Sequence, residues 1–175
     1  MRKVIGSAAF CLCLGMAPVA RAAIYYVNDL NPTGDVYCSA VGNDANAGTN
    51  PAAPKLTITN LLATYALVGG DTLLIDTGSY SNYEVLVTAA DDGTAGNPVV
   101  IQGSTNFAAG GTVLDRGQFG GPTFTLSSVE SVIVRNLTVV RGLRGVALQG
   151  SNKNILLERV TARGFSLTAF YSEFG

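Results

Sequence analysis

The sequence contains no histidine and no tryptophan, and charged residues make up only 13% of its 175 positions. The absence of histidine excludes a Ser-His-Asp triad, a histidine general base and a zinc site of the usual histidine type from these residues. The chain is instead 47% hydrophobic and holds 21 glycines, a composition that favours β-structure with many turns over a disordered chain. The length suits one ordinary domain with its own core.

The sequence contains no long apolar run after residues 4–16. The chain opens with a basic MRK, continues with an almost wholly apolar or small stretch at residues 4–16, and offers Ala20-Arg21-Ala22 as a cleavage site. We predict a secretory signal peptide over residues 1–22. The mature protein is then expected to be secreted, extracellular or at the bacterial cell surface, without stable membrane insertion.

Cysteine is scarce in the mature chain. Cys11 and Cys13 belong to the signal peptide, which leaves only Cys38. One cysteine forms no internal disulfide, so the exported protein has to be stabilised by packing.

Residues 23–70 combine a short strand, a polar loop and a helix. Residues 23–27 are β-type, and residues 28–54 are dense in turn-forming residues. Thr57 is a suitable N-cap, and Gly69-Gly70 is a suitable end for an amphipathic helix about three turns long. Its apolar positions follow helical spacing: Ile58, Leu61, Leu62 and Tyr65.

Residues 71–175 repeat short strands at a nearly constant period. Residues 132–138 align with 155–161 at a shift of 23, apolar on apolar and threonine on threonine. The preceding strand also repeats, because Phe124 and Leu126 align with Val146 and Leu148 at a shift of 22. A further shift of 23 aligns those two residues with Ala169 and Tyr171. No helix separates the strands, which argues against an ordinary α/β fold.

We therefore predict an all-β fold, a single-stranded right-handed parallel β-helix (a solenoid) with an N-terminal amphipathic capping helix. Residues 71–175 would be its first coils. The chain stops in a strand without a second cap, so we expect the C-terminal coils to be missing and the chain to be an N-terminal fragment. A β-sandwich with chance similarity between its strands is the alternative.

Several segments resemble the opening of bacterial extracellular β-helix proteins. They are YYV at the mature start, GNDANAGTNPAAPKLTI before the helix, GGDTLLIDTGSY after it, and GTAGNPVVIQG. The chain is similar over residues 24–165 to the pectin-lyase-like superfamily, which includes pectate lyases and the chondroitinase B and alginate lyase group. The resemblance implies a polysaccharide lyase or hydrolase acting on acidic, uronate-containing polysaccharide.

In lyases of that superfamily a cation or bound calcium neutralises the substrate carboxylate, and a lysine or arginine removes the neighbouring proton. Those residues lie on central coils, so the resemblance assigns no catalytic residue here. We expect no cofactor in this fragment, which alone would be inactive, although calcium is possible in the full-length protein.

The charge distribution singles out the C-terminal part. Residues 23–130 hold ten acidic and two basic side chains, whereas residues 131–175 hold six basic and two acidic ones. In the 22-residue register Arg141 falls beside Arg163, with Arg144 near. These three arginines are the predicted substrate-binding residues, because guanidinium groups bind carboxylates and sulfates. The alternative is a solvated edge, and the predicted contact of Arg135 with Glu158 supports it.

Other polar clusters have simpler explanations. Asp91-Asp92 and Asp44 lack the ligand spacing of a calcium loop and fit turn chemistry, so no metal site is predicted. Tyr80 and Tyr83 are candidates either for stacking on sugar rings or for filling the fold.

Two functions remain open. The first is a carbohydrate-active enzyme represented by a non-catalytic end, and the second is a non-enzymatic adhesin module or spacer that binds polysaccharide. Nucleic acid is not an expected partner, because the mature chain is net acidic and its basic residues are not interleaved with aromatic ones.

Overall fold

The computed structural model describes residues 22–81, 83–117 and 120–173, so nearly all of the predicted signal peptide, with Cys11 and Cys13, lies outside the described residues. The described part consists of eleven strands, one α-helix and two single-turn 3-10 helices. In chain order the main elements are β1 (Ile24–Val27), α1 (Ile58–Thr64), β2 (Thr72–Ile75), β3 (Gly78–Ser81), β4 (Val85–Thr88), β5 (Val99–Gly103), β6 (Thr112–Asp115), β7 (Pro122–Ser127), β8 (Glu130–Val140), β9 (Arg144–Gln149), β10 (Lys153–Arg163) and β11 (Thr168–Glu173).

The strands form two parallel sheets. Sheet A has seven strands in the order β1-β2-β5-β8-β6-β3, with β10 also paired to β8, and sheet B has the order β11-β9-β7-β4. The predicted single-stranded parallel β-helix is therefore wrong, because the strands are divided between two separate sheets accompanied by α1. A sequence repeat shows which strands are equivalent, whereas the number of sheets depends on the backbone angles between strands. A β-sandwich of the usual antiparallel kind does not describe the fold either.

The repeat did predict which strands are neighbours. Val132 of β8 pairs with Ile155 of β10, which confirms the shift of 23 residues. Phe124 of β7 pairs with Val146 of β9, which confirms the shift of 22. The strand pairs therefore place like side chains next to one another, as a parallel stack requires.

The predicted shift between β9 and β11 is wrong by one residue. Val146 pairs with Phe170, a shift of 24 rather than 23. The connection before β11, residues 164–167, is one residue longer than the connection before β9, residues 141–143. A shift of one residue moves every side chain of a strand to its other face.

A left-handed residue bends β8 in its middle. Asn136 has a φ of 58° and its partner position in β10, Arg159, has a φ of 52°. Residues 132–135 of β8 pair with β5, whereas residues 137–140 pair with β6. Arg159 Nε donates to Asn136 Oδ1 at 2.7 Å. Asparagine tolerates this left-handed conformation better than most residues, so the residue type at position 136 favours the bend.

The core is built from alternate residues of the strands. On β8 the residues Val132, Val134, Leu137 and Val139 are all buried. Sheet B adds Phe124, the largest fully buried side chain. Each such residue contributes about 1.5–3 kcal/mol by leaving water, so the stacked aliphatic rows supply most of the driving force for folding.

Helix α1 begins where predicted and ends early. The Thr57 side chain accepts from Asn60 N at 3.2 Å, which confirms the N-cap. The predicted end at Gly69-Gly70 is wrong, because Tyr65 is already extended. The Tyr65 ring packs on Tyr25, with 4.6 Å between ring centroids, and this contact replaces a further helical turn. Within the described ranges no helix is long and apolar enough to cross a membrane.

The polar loop before α1 is attached to sheet A by one buried carboxylate. Asp76 follows β2 and is 0% exposed. Its two oxygens accept four backbone N–H groups at 2.6–2.8 Å, those of Val36, Tyr37, Cys38 and Thr77. A buried charge is stable only when it is compensated in this way.

We predict that Asp76→Asn lowers the free energy of unfolding by about 3–5 kcal/mol, because the amide nitrogen would face N–H donors that now contact a carboxylate oxygen. Urea unfolding measures the loss. Asp92→Asn is the matched control, since Asp92 accepts only one backbone N–H, from Glu130 at 2.7 Å. That variant should lose about 1 kcal/mol. Equal losses in the two variants would contradict the role of Asp76.

Candidate functional site

The three arginines predicted to bind substrate lie around one connection of the chain. Arg141 follows β8, Arg144 begins β9 and Arg163 ends β10. The backbone N–H of Arg141 donates to the carbonyl oxygen of Arg163, with 3.3 Å between the two atoms. The backbones are therefore adjacent at Arg141 and Arg163, whereas the three side chains have different surroundings.

The side chain of Arg141 is held by Asp115. Its Nε donates to Asp115 Oδ1 at 2.6 Å, and its Nη2 contacts Oδ2. The hydrogen bond from Arg141 lowers the pKa of Asp115, and the same contact raises the pKa of Arg141. The expected stacking of Arg141 on Arg163 is wrong, because Arg163 is in register with Val140. Arg141 thus remains protonated and already has a carboxylate partner.

Arg144 instead stacks on an aromatic ring. Its guanidinium carbon lies 3.9 Å from the centroid of the Tyr171 ring. The Tyr171 hydroxyl donates to Glu173 Oε2 at 3.1 Å, and this hydrogen bond raises the pKa of Tyr171. Stacking leaves the N–H groups on the edge of the guanidinium able to donate to another molecule.

A second charged pair lies where β4 begins and β6 ends. Glu84 Oε1 accepts from Thr125 Oγ1 at 2.5 Å, and Glu84 Oε2 lies 3.4 Å from Arg116 Nη1. The Glu84 and Arg116 side chains are 30% and 22% exposed, so both reach solvent. The pair therefore offers a carboxylate and a guanidinium at the surface beside β7 of sheet B.

Small buried residues separate the two charged groups. Thr125, Ala147 and Tyr171 are in register across β7, β9 and β11. Thr125 and Ala147 are almost completely buried, and the row spans about 10 Å, twice the usual distance between strands. The partly exposed side chains on either side of this row, Glu84, Arg116, Arg144 and Tyr171, are called the arginine face.

Among the members of the arginine face, sequence reasoning predicted only Arg144 as a binding residue; Tyr171 and Glu84 are two that it missed. The one-residue error in the shift to β11 paired Tyr171 with Leu148, a core-facing position, instead of Ala147. A comparison of connection lengths would have detected the extra residue before β11. Glu84 left no signal in the sequence, because its contact with Thr125 joins residues 41 positions apart.

The predicted contact between Arg135 and Glu158 is only partly present. The two residues are in register on β8 and β10. Arg135 Nε nevertheless donates to Gln102 Oε1 at 2.6 Å, and Glu158 pairs with Arg159 at 2.6 Å. The predicted ion pair is therefore replaced by contacts with other partners.

The acidic clusters take part in turns and caps. Asp91 completes a capping box with Thr88, and Asp44 accepts from the backbone N–H groups of Leu56 and Thr57. Among the residues that the structure describes, no group of three or more histidine, cysteine, aspartate or glutamate side chains has the arrangement of a metal site. The capping contacts account for the position of these carboxylates.

Comparison with known proteins assigns no family to the chain. Neither a family model nor a curated protein matches it. The similarity to the pectin-lyase-like superfamily remains a prediction from the sequence, and any function has to be argued from the arginine face itself.

We predict that Asp115 stabilises the protein only where it is ionised. Its folded-state pKa is lowered, so its contribution is complete above the ordinary value of about 3.9 and is lost as the pH falls through the lowered pKa. The difference in unfolding free energy between wild type and Asp115→Asn should be constant from about pH 5 to 8 and shrink below about pH 4. Urea unfolding across this range measures it.

Asp35→Asn is a control with the opposite sign. Burial raises the pKa of Asp35, so this group costs stability as the pH rises above its ordinary pKa of about 3.9, and the cost is complete above the raised pKa. Asp35→Asn should gain stability relative to wild type as the pH rises above about 4. Parallel pH profiles for Asp115→Asn and wild type would contradict the prediction.

Proposed function

We propose that this chain is the carbohydrate-binding part of an exported protein that acts on acidic, uronate-containing polysaccharide, and that the arginine face contacts the polysaccharide. The observation that carries the proposal is the Arg144 guanidinium stacked on Tyr171. A guanidinium suits the carboxylates of a uronate polymer.

Charge favours an anionic ligand at this face. Arg141 and Arg116 each have a carboxylate partner, Asp115 and Glu84. No ion pair is found for Arg144 or Arg163 in residues 22–173 as described. A guanidinium without a carboxylate partner can form two parallel hydrogen bonds with a uronate carboxylate, which a neutral sugar does not offer.

The Tyr171 ring also prepares Arg144 for binding. A long arginine side chain normally loses conformational freedom when it contacts a ligand. Stacking at 3.9 Å already restricts the guanidinium, so less of this entropy is lost on binding. The stacking contact covers the face of the guanidinium and leaves its edge, where the N–H donors lie, uncovered.

A lyase requires groups that neutralise the substrate carboxylate, and the arginine face supplies such groups. The described residues give no group that we assign as the base. A binding module of a cell-surface protein is therefore the second candidate, favoured by the fact that the Glu84 carboxylate is already engaged by Thr125 and Arg116.

We predict that Arg144→Gln weakens binding of polygalacturonate, alginate or chondroitin about tenfold, because one charge-assisted contact and its stacking are lost. Isothermal titration calorimetry with defined oligosaccharides measures the dissociation constant. Lys153→Gln is the matched control, since it removes one positive charge from the other sheet and should leave affinity within about twofold at 0.15 M salt. Equal losses in both variants would reject the arginine face as the binding surface.

Turnover separates the two candidates. Lyase cleavage of a uronate chain leaves an unsaturated product that absorbs in the ultraviolet. Formation of this product by the wild-type protein, and its loss in Arg144→Gln, would support the enzyme. Binding of the polymers without product from any of the three would support the binding module. Absence of both binding and product would reject the proposal.

A further inference from the structure

A cleft lies at the free edge of sheet A, beside β3. Strand β3 ends the strand order of that sheet and pairs only with β6. The cleft beside it has a volume of about 390 Å³, within the range of about 300–1,000 Å³ typical of small-molecule sites. We call it the Asp29 cleft, and the residues that matter to its chemistry are Asp29, Leu30, Leu56, Ser79, Ser81 and Tyr83.

The Asp29 carboxylate is held in a fixed position. Its Oδ1 accepts from Asn31 N at 2.7 Å and its Oδ2 accepts from Ser79 N at 3.1 Å. The carboxylate lies directly against Gly78, where an added Cβ would come within 2.2 Å of Oδ2. Each oxygen keeps a further lone pair, so the group can still accept hydrogen bonds from a ligand.

Two serine hydroxyls accompany this carboxylate. Ser79 and Ser81 project to the same side of β3, because the residue between them, Tyr80, is buried. Their Oγ atoms are 3.5 Å apart. Tyr83 also lines the cleft, with its hydroxyl buried. Hydroxyls both donate and accept, so the cleft is suited to a ligand that does the same.

Apolar side chains complete the cleft. Leu30 is 70% exposed at its rim, an unusual position for a large aliphatic side chain, and Leu56 lines its wall. A sugar ring has an edge of hydroxyls and faces of C–H groups, and this combination matches polar and aliphatic residues placed side by side.

The charge of this region selects against acidic ligands. Among the described residues Asp29 is the only charged one lining the cleft, and its charge contributes to the raised pKa of nearby Asp35. The loop that carries Asp29, residues 28–54, holds three acidic side chains and no basic one. A uronate carboxylate brought here would be repelled, whereas an uncharged hydroxyl would donate to Asp29.

We propose that the Asp29 cleft binds a neutral sugar residue, with Asp29 accepting from ring hydroxyls, Ser79 and Ser81 exchanging hydrogen bonds with them, and Leu30 covering a ring face. This site does not depend on the proposed function of the arginine face. It would give the protein a second contact with a polysaccharide that contains both neutral and acidic residues.

The test is saturation-transfer NMR on the whole chain with galactose, glucose and xylose as probes. At least one should bind, and Ser79→Ala combined with Ser81→Ala should weaken it about tenfold, since two hydrogen bonds are lost. Ser127→Ala combined with Ser172→Ala is the matched control on sheet B and should leave affinity unchanged.

Three outcomes would overturn the proposal. They are no binding of any neutral probe, binding that survives the Ser79 and Ser81 substitutions, and tighter binding of glucosamine than of every neutral probe. Arg144→Gln distinguishes this proposal from the earlier one, because it should leave neutral-sugar binding intact while weakening the acidic polymers. Loss of both in Arg144→Gln would contradict the independence of the cleft.

Discussion

The buried carboxylate of Asp76 connects the irregular first third of the chain to the sheets. A long polar loop has little apolar surface to bury, so it needs specific hydrogen bonds to hold one conformation. Four backbone N–H groups converge on Asp76, and three of them come from that loop. The position of Asp29, and with it the cleft beside β3, follows from this attachment, because Asn28 and Asp29 lie in the same loop.

Left-handed residues control which side chains reach which surface. Asn136 bends β8, so its two halves pair with β5 and β6. Arg141, with a φ of 56°, ends that strand and turns the chain toward β9. Its side chain meets Asp115 because β6 and β8 are neighbours at that end. The backbone angle therefore helps to place Arg141 beside Asp115, whereas Arg144, three residues later, stacks on Tyr171 of sheet B.

Local patterns in the sequence predicted local facts well. The N-cap at Thr57 and the pairing of Val132 with Ile155 both follow from residue spacing, which is directly visible. The predicted single-stranded β-helix was wrong, because the division of the strands between two sheets depends on bends whose angles spacing does not encode. Tyr171 was aligned with Leu148 for a related reason, since one extra residue in a connection reverses the faces of the next strand. The arginines were found by charge, but their partners Asp115 and Tyr171 were not.

The fold brings acidic residues of the first part of the chain to basic ones of the last part, since Asp115 pairs with Arg141, but it places Asp29 and Arg144 on different sheets. Asp29 lies on the edge of sheet A, within the acidic part of the sequence, and Arg144 lies on sheet B, within the basic part. Charges more than about 8 Å apart are largely screened at physiological salt, so each surface is governed by its nearest groups rather than by the small net charge. A net charge of −1 therefore says little about ligands. One chain can therefore present an acceptor for hydroxyls at Asp29 and a donor for carboxylates at Arg144.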